Sequence, residues 1–185
     1  MDILILFIIA LGLAMNCFGL AIANSSVSGK VAPGIPLKTA IAFALSHFIL
    51  SFGGYYLGKW AHYTVDGIEG WSSFIILMII GVKMIMEAVR RRPETKVFDI
   101  NNARVIFALS IAAGMNALLA GLVLGIMAAP ILKAAFLVAL LVFFFTLFGL
   151  AGGQNLGLPF AKRVTIFGGA FLIVAGFRFL MEFVF

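Results

Sequence analysis

Apolar residues run along this chain in six long stretches, roughly 2–23, 37–58, 71–90, 104–128, 133–153 and 163–184. Crossing about 30 Å of hydrocarbon at 1.5 Å per residue takes about 20 mostly apolar residues. The pattern therefore predicts six spanning helices. All five prolines, Pro33, Pro36, Pro93, Pro130 and Pro159, fall between the stretches, where helix breakers belong. The first stretch follows Met1 and Asp2 with no basic segment before it and no polar domain after it. It reads as a retained helix and not as a cleaved leader.

The two halves of the chain repeat. Met15-Asn16 in "LAMNCFGLAIA" lines up with Met115-Asn116 in "AGMNALLAGLV", an offset of 100 residues. From the second helix on the offset is 95: Lys38 meets Lys133, Phe48 meets Phe143, Gly54 meets Gly149 and Gly58 meets Gly153. Gly81, Lys83, Met86 and Glu87 then match Gly176, Arg178, Met181 and Glu182. Repeat one covers about 1–92 and repeat two about 101–185. Each holds three helices, an odd number, so the halves enter the membrane from opposite sides. Inverted repeats of this kind are a transporter architecture, with the substrate near mid-membrane at the repeat interface. The small-residue pairs Gly54/Gly58, Gly121/Gly125 and Gly149/Gly153 are expected to let helices pack closely.

Loop charge gives the orientation. Lys30, Lys38, Arg90, Arg91, Arg92, Lys96, Arg104, Lys162 and Arg163 lie in or beside the odd-numbered loops. Only Lys59 and Lys133 lie in the even ones. This asymmetry predicts cytoplasmic odd loops and both termini on the outer side. Trp60, Tyr63 and Trp71 form an aromatic belt at the outer interface.

Composition agrees. Of 185 residues, 64% are hydrophobic and 11% charged, with mean hydropathy +1.20, against about 25% charged in a soluble domain. The chain is read as a single membrane domain, 1–185, in contact with lipid. Its net charge of +6 sits in short loops without a basic face, so nucleic acid is not an expected partner. A single cysteine, Cys17, excludes an internal disulfide or redox pair and reads as a small packed residue. There is no HExxH, no GxSxG and no cysteine pair, and the neighbours Ser46 and His47 project from different helix faces. The expectation is a transporter, not an enzyme, with no cofactor.

The informative residues are the polar ones inside the membrane. Asn16 and Asn116 occupy equivalent mid-helix places in the two repeats, near Gly12, Gly19, Gly114 and Gly121. Amide oxygens there, with backbone carbonyls, are candidate cation ligands. They are expected to face each other near mid-bilayer, with His47 lining the same cavity. His47, midway along helix two, could bind a transition metal or move a proton; bonded to Ser51 one turn on, it would be structural. Ser51 and Thr146 are supporting candidates, as are Ser46 and Ser110. Lys83/Glu87 and Arg178/Glu182 form i,i+4 pairs, expected to fix the ends of the bundle, with gating as the other reading.

The segments "GLAMNCFGLAIA", "GVKMIMEAVR", "GMNALLAGL" and "AKRVTIFGGAFLIVAGFRFL" resemble the MntP-type manganese exporters of bacteria, in the broad LysE-like exporter superfamily. The resemblance covers nearly the whole chain. It implies a multi-pass protein of the bacterial inner membrane that exports Mn²⁺ by alternating access. Self-association is left open. In that family the residue after Met in helix one, and its counterpart in helix four, are aspartates that bind the cation. Here they are Asn16 and Asn116, and an acidic residue of helix two aligns with His47. Mn²⁺ is suited by carboxylate, carbonyl and water oxygens. Asn supplies the oxygen without the charge. Three explanations stay open at this point: a natural paralogue with another substrate, a variant with a neutralised site, or an Asn/His site for a softer metal. Beside the exporter reading stands a transport-impaired relative acting as a membrane binding or scaffold protein.

Overall fold

The computed structural model describes residues 3–28, 32, 34–62, 67, 69–90 and 102–184. The expectations placed on Lys30, Pro33, Tyr63, Arg91, Arg92, Pro93 and Lys96 lie outside them. Among the described residues the chain is all helix: α1 (Ile3–Ser28), α2 (Ile35–His62), α3 (Glu69–Arg90), α4 (Ala103–Ile126) and α5 (Ile131–Val184). All five are long and apolar enough to cross a membrane. In hydrocarbon each backbone N–H and C=O must find its partner within the protein, and a helix satisfies them along its own length.

α2 starts two residues before its apolar stretch and ends four after it, and α1 ends five after its own, whereas α4 stops two residues short. Pro36 consequently lies inside α2 and not in a connection. In the first helical turn proline costs little, because the N–H it lacks would have had no partner there. Lys38, Lys59, Lys133 and Arg104 likewise lie in end turns of helices, and Asn102 caps α4, its side-chain oxygen accepting the Arg104 N–H at 3.0 Å.

The fifth and sixth apolar stretches are joined differently from expectation. A loop around Pro159 is replaced by helical turns on both sides of one residue, Gly157, with φ 72° and ψ 168°. That conformation favours glycine. Pro159 starts the second limb, in a first turn that tolerates it. At 54 residues, an unbroken helix would be about 80 Å long, far more than a bilayer needs. The two limbs, 131–156 and 158–184, pass α1 in opposite directions. Gly149 packs at Phe18 and Gly153 at Ile22, whereas Thr165 packs at Gly19 and Gly168 at Gly12.

Glycine decides the other close interfaces too. On α2 and α4, a Cβ on Gly54 would run into the Leu118 backbone, one on Gly58 into Leu122, and one on Gly121 into the Ser51 carbonyl. These contacts give α2 and α4 the same direction. Gly81 meets Gly169 between α3 and the second limb of α5. Hydroxyls stitch the same seams: Ser25 Oγ donates to Leu150 O (2.8 Å), Ser26 Oγ to Gly153 O (2.7 Å) and Ser46 Oγ to Ser110 O (3.0 Å).

The distribution of side chains is that of a membrane protein. Phe107 and Phe136 are 66% and 63% exposed, whereas Ser25, His47, Ser73 and Thr146 are fully buried. Apolar surface on this scale needs lipid to cover it.

Candidate functional site

Asn16 on α1 and Asn116 on α4 are both buried, and their situations differ. The Asn116 carbonyl oxygen accepts a hydrogen bond from Lys83 Nζ on α3 at 3.2 Å. The Asn16 carbonyl oxygen has no hydrogen-bond partner. A buried amide oxygen left unpaired costs roughly 1–3 kcal/mol, and such atoms in a native fold call for an explanation. Thr146 Oγ is in the same condition. The register of Gly149 at Phe18 and Gly153 at Ile22 sets Thr146 level with Asn16 along α1.

His47 is fully buried on α2. Its ring is not bonded to Ser51. Nδ1 lies 2.8 Å from Phe43 O, one turn back, and Nε2 lies 3.3 Å from Cys17 Sγ on α1. A carbonyl only accepts, so Nδ1 carries the proton, and in the neutral ring Nε2 presents its lone pair to the thiol. Cys17, read from the sequence as plain packing, is therefore the partner of the histidine. One cysteine gives no spacing motif, so the only sequence signal was its place beside Asn16. Ser51 is buried, with its backbone carbonyl against Gly121.

The charged pairs form as their spacing predicts. Lys83 Nζ is 3.9 Å from Glu87 Oε1, and an Arg178 guanidinium nitrogen is 3.3 Å from Glu182 Oε1. Lys83 is thus shared, and its shorter contact is the one to Asn116. The lysine that was expected to fix one end of the bundle also reaches a candidate ligand. Between α1 and α4 themselves there is little contact; α1 packs on α5, and α4 on α2. Among the described residues no three His, Cys, Asp or Glu side chains come together as a metal cage. The buried donors Asn16, Asn116, His47 and Thr146 carry no formal charge in the neutral-imidazole form, and the Lys83 side chain that reaches Asn116 is 43% exposed.

Residues 31–180 match the family model described as "Putative manganese efflux pump". Three relatives carry the name "Putative manganese efflux pump MntP". The one from Crocosphaera subtropica is 30% identical over 98% of this chain and 97% of its own length. The one from Rippkaea orientalis is 31% identical over the same shares. The one from Bacteroides thetaiotaomicron is 27% identical over 97% of this chain and 96% of its own. No solved structure matches. With its helices long enough to span and its apolar exterior, the chain is a multi-pass membrane protein and belongs to the MntP family.

Proposed function

We propose that this chain exports a divalent metal cation across the inner membrane, by alternating access in a fold of six spans built from two inverted repeats. The family's named cargo is manganese, and the observation that carries the reading is the unpaired carbonyl oxygen of Asn16, buried in a membrane helix at the place equivalent to Asn116. Polar groups at such depth are expensive and accompany substrate paths.

The contacts support the repeat. Gly54 meets Leu118 as Gly149 meets Phe18, and Gly58 meets Leu122 as Gly153 meets Ile22, each pair related by the offsets 95 and 100 found in the sequence. Counting the two limbs of α5 separately gives six spans. Successive spans alternate in direction, and α4 runs with α2, so α4 opposes α1. The nine-to-two distribution of loop lysine and arginine favours both termini outside.

Asymmetry between the halves supports the cycle. Lys83 caps Asn116, while the equivalent oxygen on Asn16 carries no such bond. A divalent ion at the Asn116 oxygen would repel the ammonium bonded there, so recruitment of Asn116 sends Lys83 toward Glu87, already 3.9 Å away. Lys83→Met is expected to cut cation flux several-fold in proteoliposomes, with yield and thermal stability in detergent little changed. Parallel losses of yield and flux would assign Lys83 to structure instead.

Binding itself is testable by melting. A ligand that binds only the folded state adds about 2.7 kcal/mol at a hundred times its Kd. Divalent cations should therefore raise the melting temperature in detergent, and less so in Asn16→Ala/Asn116→Ala. A scaffold without a cation path would melt identically with and without metal.

A further inference from the structure

We propose that the outward face of α3 holds one anionic phospholipid of the cytoplasmic leaflet, its phosphate at Arg90 and an acyl chain along Ile79, Val82 and Met86. The site is independent of the cation reading; only the leaflet follows from the proposed orientation.

A groove of about 540 Å³ runs along that face from Met78 to Arg90. The opposite face is already filled: Leu77, Ile80, Met84 and Ala88 are buried, and Gly81 packs on Gly169. Ile79, Val82 and Met86 are 57%, 41% and 44% exposed and wall the groove with apolar surface. From Met78 to Arg90 is about 18 Å along the helix, at 1.5 Å per residue. One leaflet contributes about 15 Å of hydrocarbon. The groove therefore reaches from the end of α3 to about mid-bilayer, the depth of a single lipid.

The charges select the headgroup. Lys83 and Glu87 stand 3.9 Å apart and offset each other, their side chains 43% and 45% exposed. Arg90, in the last turn of α3, forms no ion pair among the described residues. The groove thus ends in a net positive charge, the complement of a phosphate. A planar guanidinium can grip phosphate with two parallel hydrogen bonds. Glu87 and Lys83 lie one and two turns deeper, where charges meeting bare hydrocarbon are expensive. The glycerol and phosphate oxygens of a lipid give them polar cover. Basic pockets on the cytoplasmic side of membrane helices take anionic headgroups on the same grounds.

The test is native mass spectrometry of the purified full chain, stripped of lipid in detergent and without added metal. It is titrated with phosphatidylglycerol, or with phosphatidylcholine of the same acyl chains. One phosphatidylglycerol should bind per chain about fivefold more tightly than phosphatidylcholine, the worth of one arginine beside an anionic lipid. Arg90→Gln should remove that preference. Val82→Phe, which fills the groove and leaves its charge alone, should weaken both lipids. Lys59→Gln, at the far end of another helix, should leave both affinities as they were. The native chain with the two lipids decides even where a variant fails to fold. Equal affinity for the two lipids, unchanged binding in Val82→Phe, or the same loss in Lys59→Gln as in Arg90→Gln would overturn the proposal. None of these results bears on cation transport, which is read by flux.

Discussion

Replacing the two membrane amides with carboxylates, in Asn16→Asp/Asn116→Asp, is expected to raise Mn²⁺ affinity on the order of a hundredfold, about 2.8 kcal/mol. An amide offers manganese an oxygen, but a carboxylate also offsets the ion's charge where water is scarce. The gain should be unequal between the two positions. An aspartate at 116 would meet the Lys83 ammonium, now 3.2 Å from the Asn116 oxygen, and spend part of its charge on that pair. The aspartate at 16 replaces an oxygen with no partner, so Asn16→Asp alone should supply the larger share. Binding by the double variant should strengthen as pH rises through the carboxylate range and fade as pH falls, because protonated acids are poor ligands. Titration calorimetry on the native chain, both single variants and the double variant reads all of this. No gain on restoration would mean that the cation is held elsewhere.

Gly54→Ala is expected to destabilise the fold by about 1–3 kcal/mol, the usual range for overpacking, or to abolish the folded form. The added methyl would strike the Leu118 backbone, which has no rotamer to give way. Gly53→Ala, one residue earlier, meets nothing within 4 Å. It should be neutral or stabilising by up to about 1 kcal/mol, since alanine favours helix over glycine. Thermal melts of the two variants in the same detergent make the comparison. Equal losses at both positions would show that the α2–α4 seam is looser than its contacts imply.

Much of this fold was readable from apolar run length alone, because the bilayer imposes one length on every span. The helix-packing role of Gly54, Gly58, Gly121 and Gly149 was readable for a related reason. Without a hydrophobic drive between helices in lipid, close approach needs small residues at a spacing the sequence displays. The turn at Gly157 was not readable in detail. The sequence marks a break there with Pro159 and two cationic residues, but only the φ of Gly157 reveals that one residue suffices. The i,i+4 pairs were legible because helix geometry alone dictates them. The Lys83–Asn116 and Cys17–His47 contacts were not, since each joins different helices. Sequence periodicity fixes which face a residue occupies on its own helix, and leaves open which neighbour that face meets.

Whether this chain carries divalent cations is measured most directly by flux. Proteoliposomes holding the purified chain would be given Mn²⁺, Co²⁺ and Zn²⁺ in turn, with a metal-sensitive dye enclosed. Saturable, protein-dependent entry of divalent cations is expected, with Mn²⁺ entry quickened in Asn16→Asp/Asn116→Asp and lost in Asn16→Ala/Asn116→Ala. Traces indistinguishable from empty liposomes for all three metals, with both the native chain and the aspartate variant, would contradict it.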